Sequence, residues 1–152
     1  MSERASETST QHERASETST PHDFVHPWTV RYYEVDQQGV VFNGWYLHWF
    51  DEALSGFLAH AGLPYPDLLA AGHDVMLVRS EIDWKAGVTW NDPVGIGVRP
   101  GRLGRTSFDL HYSVLRDGDE VTCEARTVYV VVGTDGSGKR PIPDLLRRAL
   151  ER

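Results

Sequence analysis

The sequence predicts an α+β fold in which a curved antiparallel sheet wraps around one long central helix. Three observations lead there. One strand-like segment precedes a single long stretch of helical periodicity, and four β-rich segments then follow in succession. The helical stretch is apolar over most of its circumference, so it needs a sheet to cover it. No Gly-rich phosphate loop of the usual spacing is present, which argues against a doubly wound nucleotide fold.

Residues 1–22 contain the octapeptide ERASETST twice, at Glu3–Thr10 and Glu13–Thr20. The stretch is rich in Ser, Thr and Glu and nearly devoid of large apolar side chains. It offers too little burial to offset the entropy of ordering, and so predicts a disordered tail. One folded domain is expected over residues 23–152, starting near Phe24. His26 to Val35 alternates, with Trp28, Val30 and Tyr32 on one side, as a strand does. Residues 36–43 form an elbow. From Gly44 to His60, Leu47, Phe50, Leu54 and Phe57 recur at three- and four-residue steps, opposite a thinner stripe of His48, Glu52, Ser55 and Ala59. Gly62 is a natural helix stop, and Pro64 and Pro66 follow it.

A short helical piece near Asp67–Ala71 leads into four predicted strands: Asp74–Lys85, Pro93–Pro100, Thr106–Arg116 and Glu120–Gly133. Asp117-Gly118 between two β-rich runs is a hairpin signal. Short connections make an antiparallel meander of these four strands the simplest arrangement. A terminal helix over Asp144–Glu151 closes the chain.

Composition narrows the function classes. A chain of 152 residues with a formal net charge of -7 lacks the basic surplus of a general nucleic-acid binder. The single cysteine, Cys123, allows no intrachain disulfide and fits a reducing, cytoplasmic setting, where it reads as a small core residue. No apolar run approaches the roughly 18 residues that a membrane span needs, and the N-terminus lacks the apolar centre of a secretory signal. His48, His60, His73 and His111 have no metal-ligand spacing. Neither a metal nor another cofactor is expected.

The chemistry concentrates at the elbow. Asn43 is a favourable N-cap residue, and a helix start leaves backbone N–H groups without internal partners. With the helix dipole, those groups suit a developing negative oxygen. Asp36 lies seven residues earlier. A carboxylate beside such a helix end is the minimum apparatus for hydrolysing an activated acyl group, as general base or as nucleophile. The plainer reading is that an Asp in a strand-to-helix connection serves the turn, and spacing alone favours it. The aromatic set Trp45, Tyr46, Trp49 and Phe50 reads chiefly as core. Glu81 and Asp83, two apart on a strand, share one face, for which solvent or a subunit rim is the expected home.

The stretch YYEVDQQGVVFNGWYLHWFDEA, from Tyr32 to Ala53, resembles the signature of the 4-hydroxybenzoyl-CoA thioesterase family of hot-dog proteins. Asp36, Gly39, Val40, Val41, Tyr46 and Asp51 occupy the signature's places. The likeness extends more diffusely over residues 28–151. It implies a sheet curved around a central helix, an acyl-CoA substrate, Asp36 as the catalytic carboxylate, and backbone N–H groups of Asn43 and Gly44 as oxyanion donors. It also implies a substrate pocket involving Gly39, Trp45 and Tyr46, and CoA-phosphate contacts from Arg102, Arg105 and Ser107. A homodimer or homotetramer with sites at subunit interfaces is the implied assembly. Two departures stand out: Gln37-Gln38 replaces the small residues common before the glycine, and Asn43 stands where many relatives carry His or Tyr. Two rival readings share the fold, a noncatalytic acyl-CoA-binding module and a hydratase or dehydratase. The hydratase families pair a His with an acid in a motif that has no counterpart here.

Overall fold

The computed structural model describes residues 22–151, so the expected tail lies, apart from residue 22, outside the described residues. The elements run β1 (Phe24–Thr29), a 3-10 turn (Tyr32–Glu34), α1 (Trp45–His60), α2 (Tyr65–Ala70), β2 (His73–Trp84), β3 (Pro93–Leu103), β4 (Ser107–Arg116), β5 (Glu120–Gly133) and α3 (Asp144–Leu150). All five strands join one antiparallel sheet in the order β1-β3-β4-β5-β2, with α1 packed across it. This is the α+β, hot-dog architecture that the sequence predicts.

The meander holds for only three of the four later strands. β3, β4 and β5 pair in sequence, but β2 pairs with β5 rather than with β3. The connection over residues 85–92 explains the departure. Lys85 and Ala86 both donate their amides to the Thr122 carbonyl, Val88 is buried, and the Val88 carbonyl accepts the Val41 amide. With its polar groups committed in this way, the segment carries the chain along one end of the sheet to the far side. The β4–β5 hairpin follows its local signal: Asp117 and Gly118 both have positive φ, at 53° and 91°, as a two-residue type I′ turn requires.

The first strand ends earlier than its alternation suggests. Val30 donates to the Asp92 carbonyl just before Pro93 opens β3, and the chain then tightens into the 3-10 turn. The buried face of α1 is also set differently. Tyr46, Trp49, Phe50, Ala53, Leu54, Phe57 and Leu58 are buried, whereas Leu47 is exposed. The sheet covers one side of the helix and leaves Leu47, His48, Asp51, Glu52 and Ser55 open. Phe50 stacks on Tyr112 of β4 with ring centres 4.6 Å apart, tying helix to sheet. Each such buried ring contributes roughly 1.5–3 kcal/mol. Cys123 is fully buried under the same face, and burial pushes its thiol up to about 12, as befits a core residue.

Candidate active site

The elbow is a miniature hairpin. Phe42 donates its amide to the Glu34 carbonyl, Val35 pairs with Val41, and Asp36 donates its amide to the Val40 carbonyl. At the tip, Gly39 donates to the Asp36 carbonyl and adopts a φ of 79°, a conformation that favours glycine. Asp36 serves this turn directly, because its Oδ1 accepts the Gln38 amide at 2.8 Å. Its second carboxylate oxygen makes no hydrogen bond among the described residues. Asp36 is half-buried, and the neighbouring Val40 side chain lies over Gly87 of the β2–β3 connection. The turn reading and a chemical role are therefore compatible: one oxygen holds the loop and the other stays available.

The helix start differs from expectation. Gly44, not Asn43, is the N-cap residue, and no side chain caps it. The reason lies in the turn that precedes it: Trp45 donates its amide to the Phe42 carbonyl at 3.0 Å, and Tyr46 to the Asn43 carbonyl at 3.2 Å. The helix therefore enters through backbone turns, which leaves the Asn43 side chain exposed and uncommitted. Among the described residues, the amides of Asn43 and Gly44 have no hydrogen-bond partner. These two donors stand at the positive end of a 16-residue helix.

The structure separates the other predicted site residues. Trp45 is half-buried, with its ring 5.3 Å from that of Tyr33 and 5.1 Å from that of His48. Tyr46 is buried in an aromatic cluster with Trp49 and Trp84, and burial pushes its phenol up to about 12. Gly39 sits exposed at the turn tip, with nothing within 4 Å of where a Cβ would stand. Its contribution is conformational. Arg102, Arg105 and Ser107 lie at the other end of the sheet from the elbow. The elbow is tied to the connection that leads into β3 by the Val41–Val88 hydrogen bond, and Arg102 is near the far end of that strand, about 30 Å from its start at a rise of roughly 3.3 Å per residue. One chain does not bring these cations to Asp36. Glu81 and Asp83 are solvent-exposed on β2, and Glu81 pairs with Arg79.

Two features escaped the sequence reading. A cavity of about 320 Å³ opens between Asp51, Leu54 and Ser55 of α1, Tyr65 of α2, and Val75 and Leu77 of β2. Asp51 lies about 9 Å along the helix axis from Trp45, at 1.5 Å per residue. Burial raises the Asp51 carboxyl above its ordinary value, with the His48 side chain opposing that shift and Glu52 adding to it. The second feature is Glu34, 1 % exposed at the root of the elbow. Its partners come from β1, the 3-10 turn and α1, so no local sequence signal announces it. Among the described residues, no group of three or more His, Cys, Asp or Glu is placed to hold a metal ion, and no helix is long and apolar enough to cross a membrane.

Comparison with known proteins accords with this geometry. The profile of the thioesterase superfamily matches residues 38–123. A solved hypothetical protein from Thermus thermophilus is 30% identical, with a TM-score of 0.78 over 84% of this chain and 96% of its own. Gentisyl-coenzyme A thioesterase is 27% identical, with a TM-score of 0.77 over 84% of this chain and 99% of its own. A 1,4-dihydroxy-2-naphthoyl-CoA hydrolase from Thermosynechococcus vestitus is 25% identical over 78% of this chain and 82% of its own. The profile spans more than half of the chain, from the elbow's glycine through α1 to the start of β5, and this chain belongs to the thioesterase superfamily.

Proposed function

We propose that this protein hydrolyses an acyl-CoA thioester to a carboxylic acid and free CoA. One observation carries the reading: a carboxylate with one oxygen uncommitted precedes a helix start with two unpartnered backbone N–H groups. The thioester carbonyl oxygen would accept from the Asn43 and Gly44 amides, and the developing negative charge would be met by fixed dipoles rather than by reorienting water. Asp36 then either takes a proton from the attacking water or attacks the carbonyl carbon itself. The thiolate of CoA leaves. In the nucleophilic variant, water then cleaves the resulting anhydride and regenerates the carboxylate.

The acyl group is assigned to the cavity flanked by Asp51 and Tyr65. Its volume lies within the range usual for small-molecule sites. Two relatives are named for hydroxylated aromatic acyl groups, gentisyl and 1,4-dihydroxy-2-naphthoyl. An aryl-CoA is therefore the first substrate class to test.

The proposal includes a second copy of the chain. β2 is an edge strand whose Met76, Leu77 and Val78 are 54, 41 and 52% exposed. Val78 also forms a bulge, the register shifting between Leu77 and Arg79. An exposed apolar edge of this kind invites pairing. Antiparallel pairing of two β2 strands would set the partner subunit's Ser107 end of the sheet beside this chain's elbow end. That arrangement would supply Arg102 and Arg105, which one chain keeps far from Asp36, to the CoA phosphates.

Thiol release from a panel of aryl- and alkyl-CoAs, with wild type beside Asp36→Asn, tests the reading. Turnover by wild type and its loss in the variant are expected. Equal turnover in both would remove Asp36 from the mechanism. CoA binding without turnover by wild type would point to the noncatalytic module.

A further inference from the structure

Glu34 is buried where burial is costly, and its surroundings explain how it is tolerated. Its Oε1 accepts the Trp28 indole N–H at 3.0 Å and the Arg31 amide at 2.7 Å, and its Oε2 accepts the Trp49 indole N–H at 2.5 Å. None of these partners is a cationic side chain. A buried carboxylate persists only where donors replace its water, and here three of them converge. They belong to three different elements: Trp28 to β1, Arg31 to the lead-in of the 3-10 turn, and Trp49 to the buried face of α1. The Glu34 carbonyl meanwhile accepts the Phe42 amide, closing the elbow hairpin at its base. One residue therefore grips the helix through its side chain and the elbow through its backbone.

We propose that Glu34 is a positioning residue that sets the Asp36 carboxylate against the N–H groups of Asn43 and Gly44. The inference rests on the hydrolase reading for its consequence in catalysis, but its geometry stands without it. Asp36 follows Glu34 by two residues, and Asn43 and Gly44 follow Phe42 directly. Covalent continuity and the Val41–Val88 hydrogen bond tie the hairpin to its strands and to the 85–92 connection, but not to the buried face of the helix. The side-chain clamp supplies that tie by referring the hairpin to Trp49, which lies one turn beyond Trp45 on the helix whose start must face Asp36. A misplacement of about 1 Å at a reacting centre costs on the order of 100-fold in rate.

Glu34→Gln is the sharpest probe. It keeps an acceptor for Trp28 and Arg31 but turns an amide NH₂ toward the Trp49 indole N–H, donor against donor. Trp49→Phe is the second variant: it removes that N–H, keeps an aromatic ring and leaves Glu34 its other two donors. Two readouts are taken on full-length protein, steady-state thiol release from the best acyl-CoA of the panel and amide hydrogen exchange of the 36–44 segment. Both variants are expected to lower kcat about tenfold or more with KM within about twofold, and to speed exchange in 36–44 while β4 and β5 stay protected. A purely structural role would instead lower kcat only in proportion to the unfolded fraction and speed exchange everywhere. That outcome, or wild-type kcat and exchange in a folded variant, overturns the proposal. If Glu34→Gln does not fold, Trp49→Phe decides alone. If wild type hydrolyses nothing, the hydrolase reading falls, and the exchange measurement still decides whether Glu34 fixes the elbow.

Discussion

The root and the tip of the elbow each carry a carboxylate, and the two are treated in opposite ways. At the root, Glu34 is out of solvent and surrounded by three N–H donors. At the tip, Asp36 is half-buried and receives one amide. A saturated carboxylate is an anchor, since any reaction at its oxygens would first have to break bonds that the fold needs. A carboxylate with one spare oxygen is a reagent held in place by the other. In the proposed mechanism, two residues of sequence thus separate a structural acid from a chemical one, and hydrogen-bond saturation rather than residue type makes the distinction.

The largest expected effect breaks the tip alone. Asp36→Asn retains an acceptor for the Gln38 amide, so the turn should survive, while the base or nucleophile is lost. Thiol-release kcat/KM is expected to fall by roughly 100-fold or more, with no change in the thermal unfolding midpoint. Truncation at the root reverses that pattern. Glu34→Ala leaves two indole N–H groups and one amide without their acceptor, at about 1–3 kcal/mol for each that stays dry. Urea unfolding should show a loss of about 3 kcal/mol or more. A stable Glu34→Ala protein would mean that the root is wetter than its burial implies.

Those two acids differ in how readable they are from sequence, and the reason is physical. Asp36-Gln-Gln-Gly39 announces a turn because turn chemistry is local: the Asp side chain reaches the amide two residues on, and glycine supplies the positive φ. The hairpin at Asp117-Gly118 is legible for the same cause. Glu34 is opaque because Trp28 and Trp49 are brought to it only by the finished fold. Long-range placement defeats the sequence once more, where β2 crosses to the far edge beside β5. Asn43 shows the limit of local reasoning. Its cap preference is sound, but the preceding turn already serves the first helical amides and shifts the cap to Gly44.

A smaller effect sharpens the tip. Gly39 has a φ of 79° and open space around it, so a side chain there meets strain and no clash. Gly39→Val should cost about 1–2 kcal/mol of stability, and Gly39→Asn less, because Asn tolerates the left-handed region. If the tip matters only as a carrier of Asp36, kcat should recover in Gly39→Asn in step with stability. A variant of normal stability and depressed kcat would show that the tip also touches substrate.

The smallest effect comes from a third acid that belongs to neither class. Asp51 borders the cavity and, among the described residues, accepts no hydrogen bond. Partial desolvation at the cavity edge is the leading cause that raises its carboxyl above the ordinary 3.8, with His48 opposing the shift and Glu52 adding to it. Its folded pKa exceeds its unfolded one, so the folded state holds the proton more tightly. Stability should then decline as pH rises from the unfolded value through the folded one, and the deficit should persist at neutral pH. Asp51→Asn removes that penalty. A small rise in melting temperature at pH 7 is expected, shrinking toward zero below pH 3.8, measured by thermal unfolding across the acid range. Its place at the cavity edge makes Asp51 a candidate contact for a hydroxyl of the acyl group. Asp51→Asn should accordingly raise KM for hydroxyaryl-CoAs more than for unsubstituted benzoyl-CoA. If KM does not change for either substrate, the third acid has no part in the site.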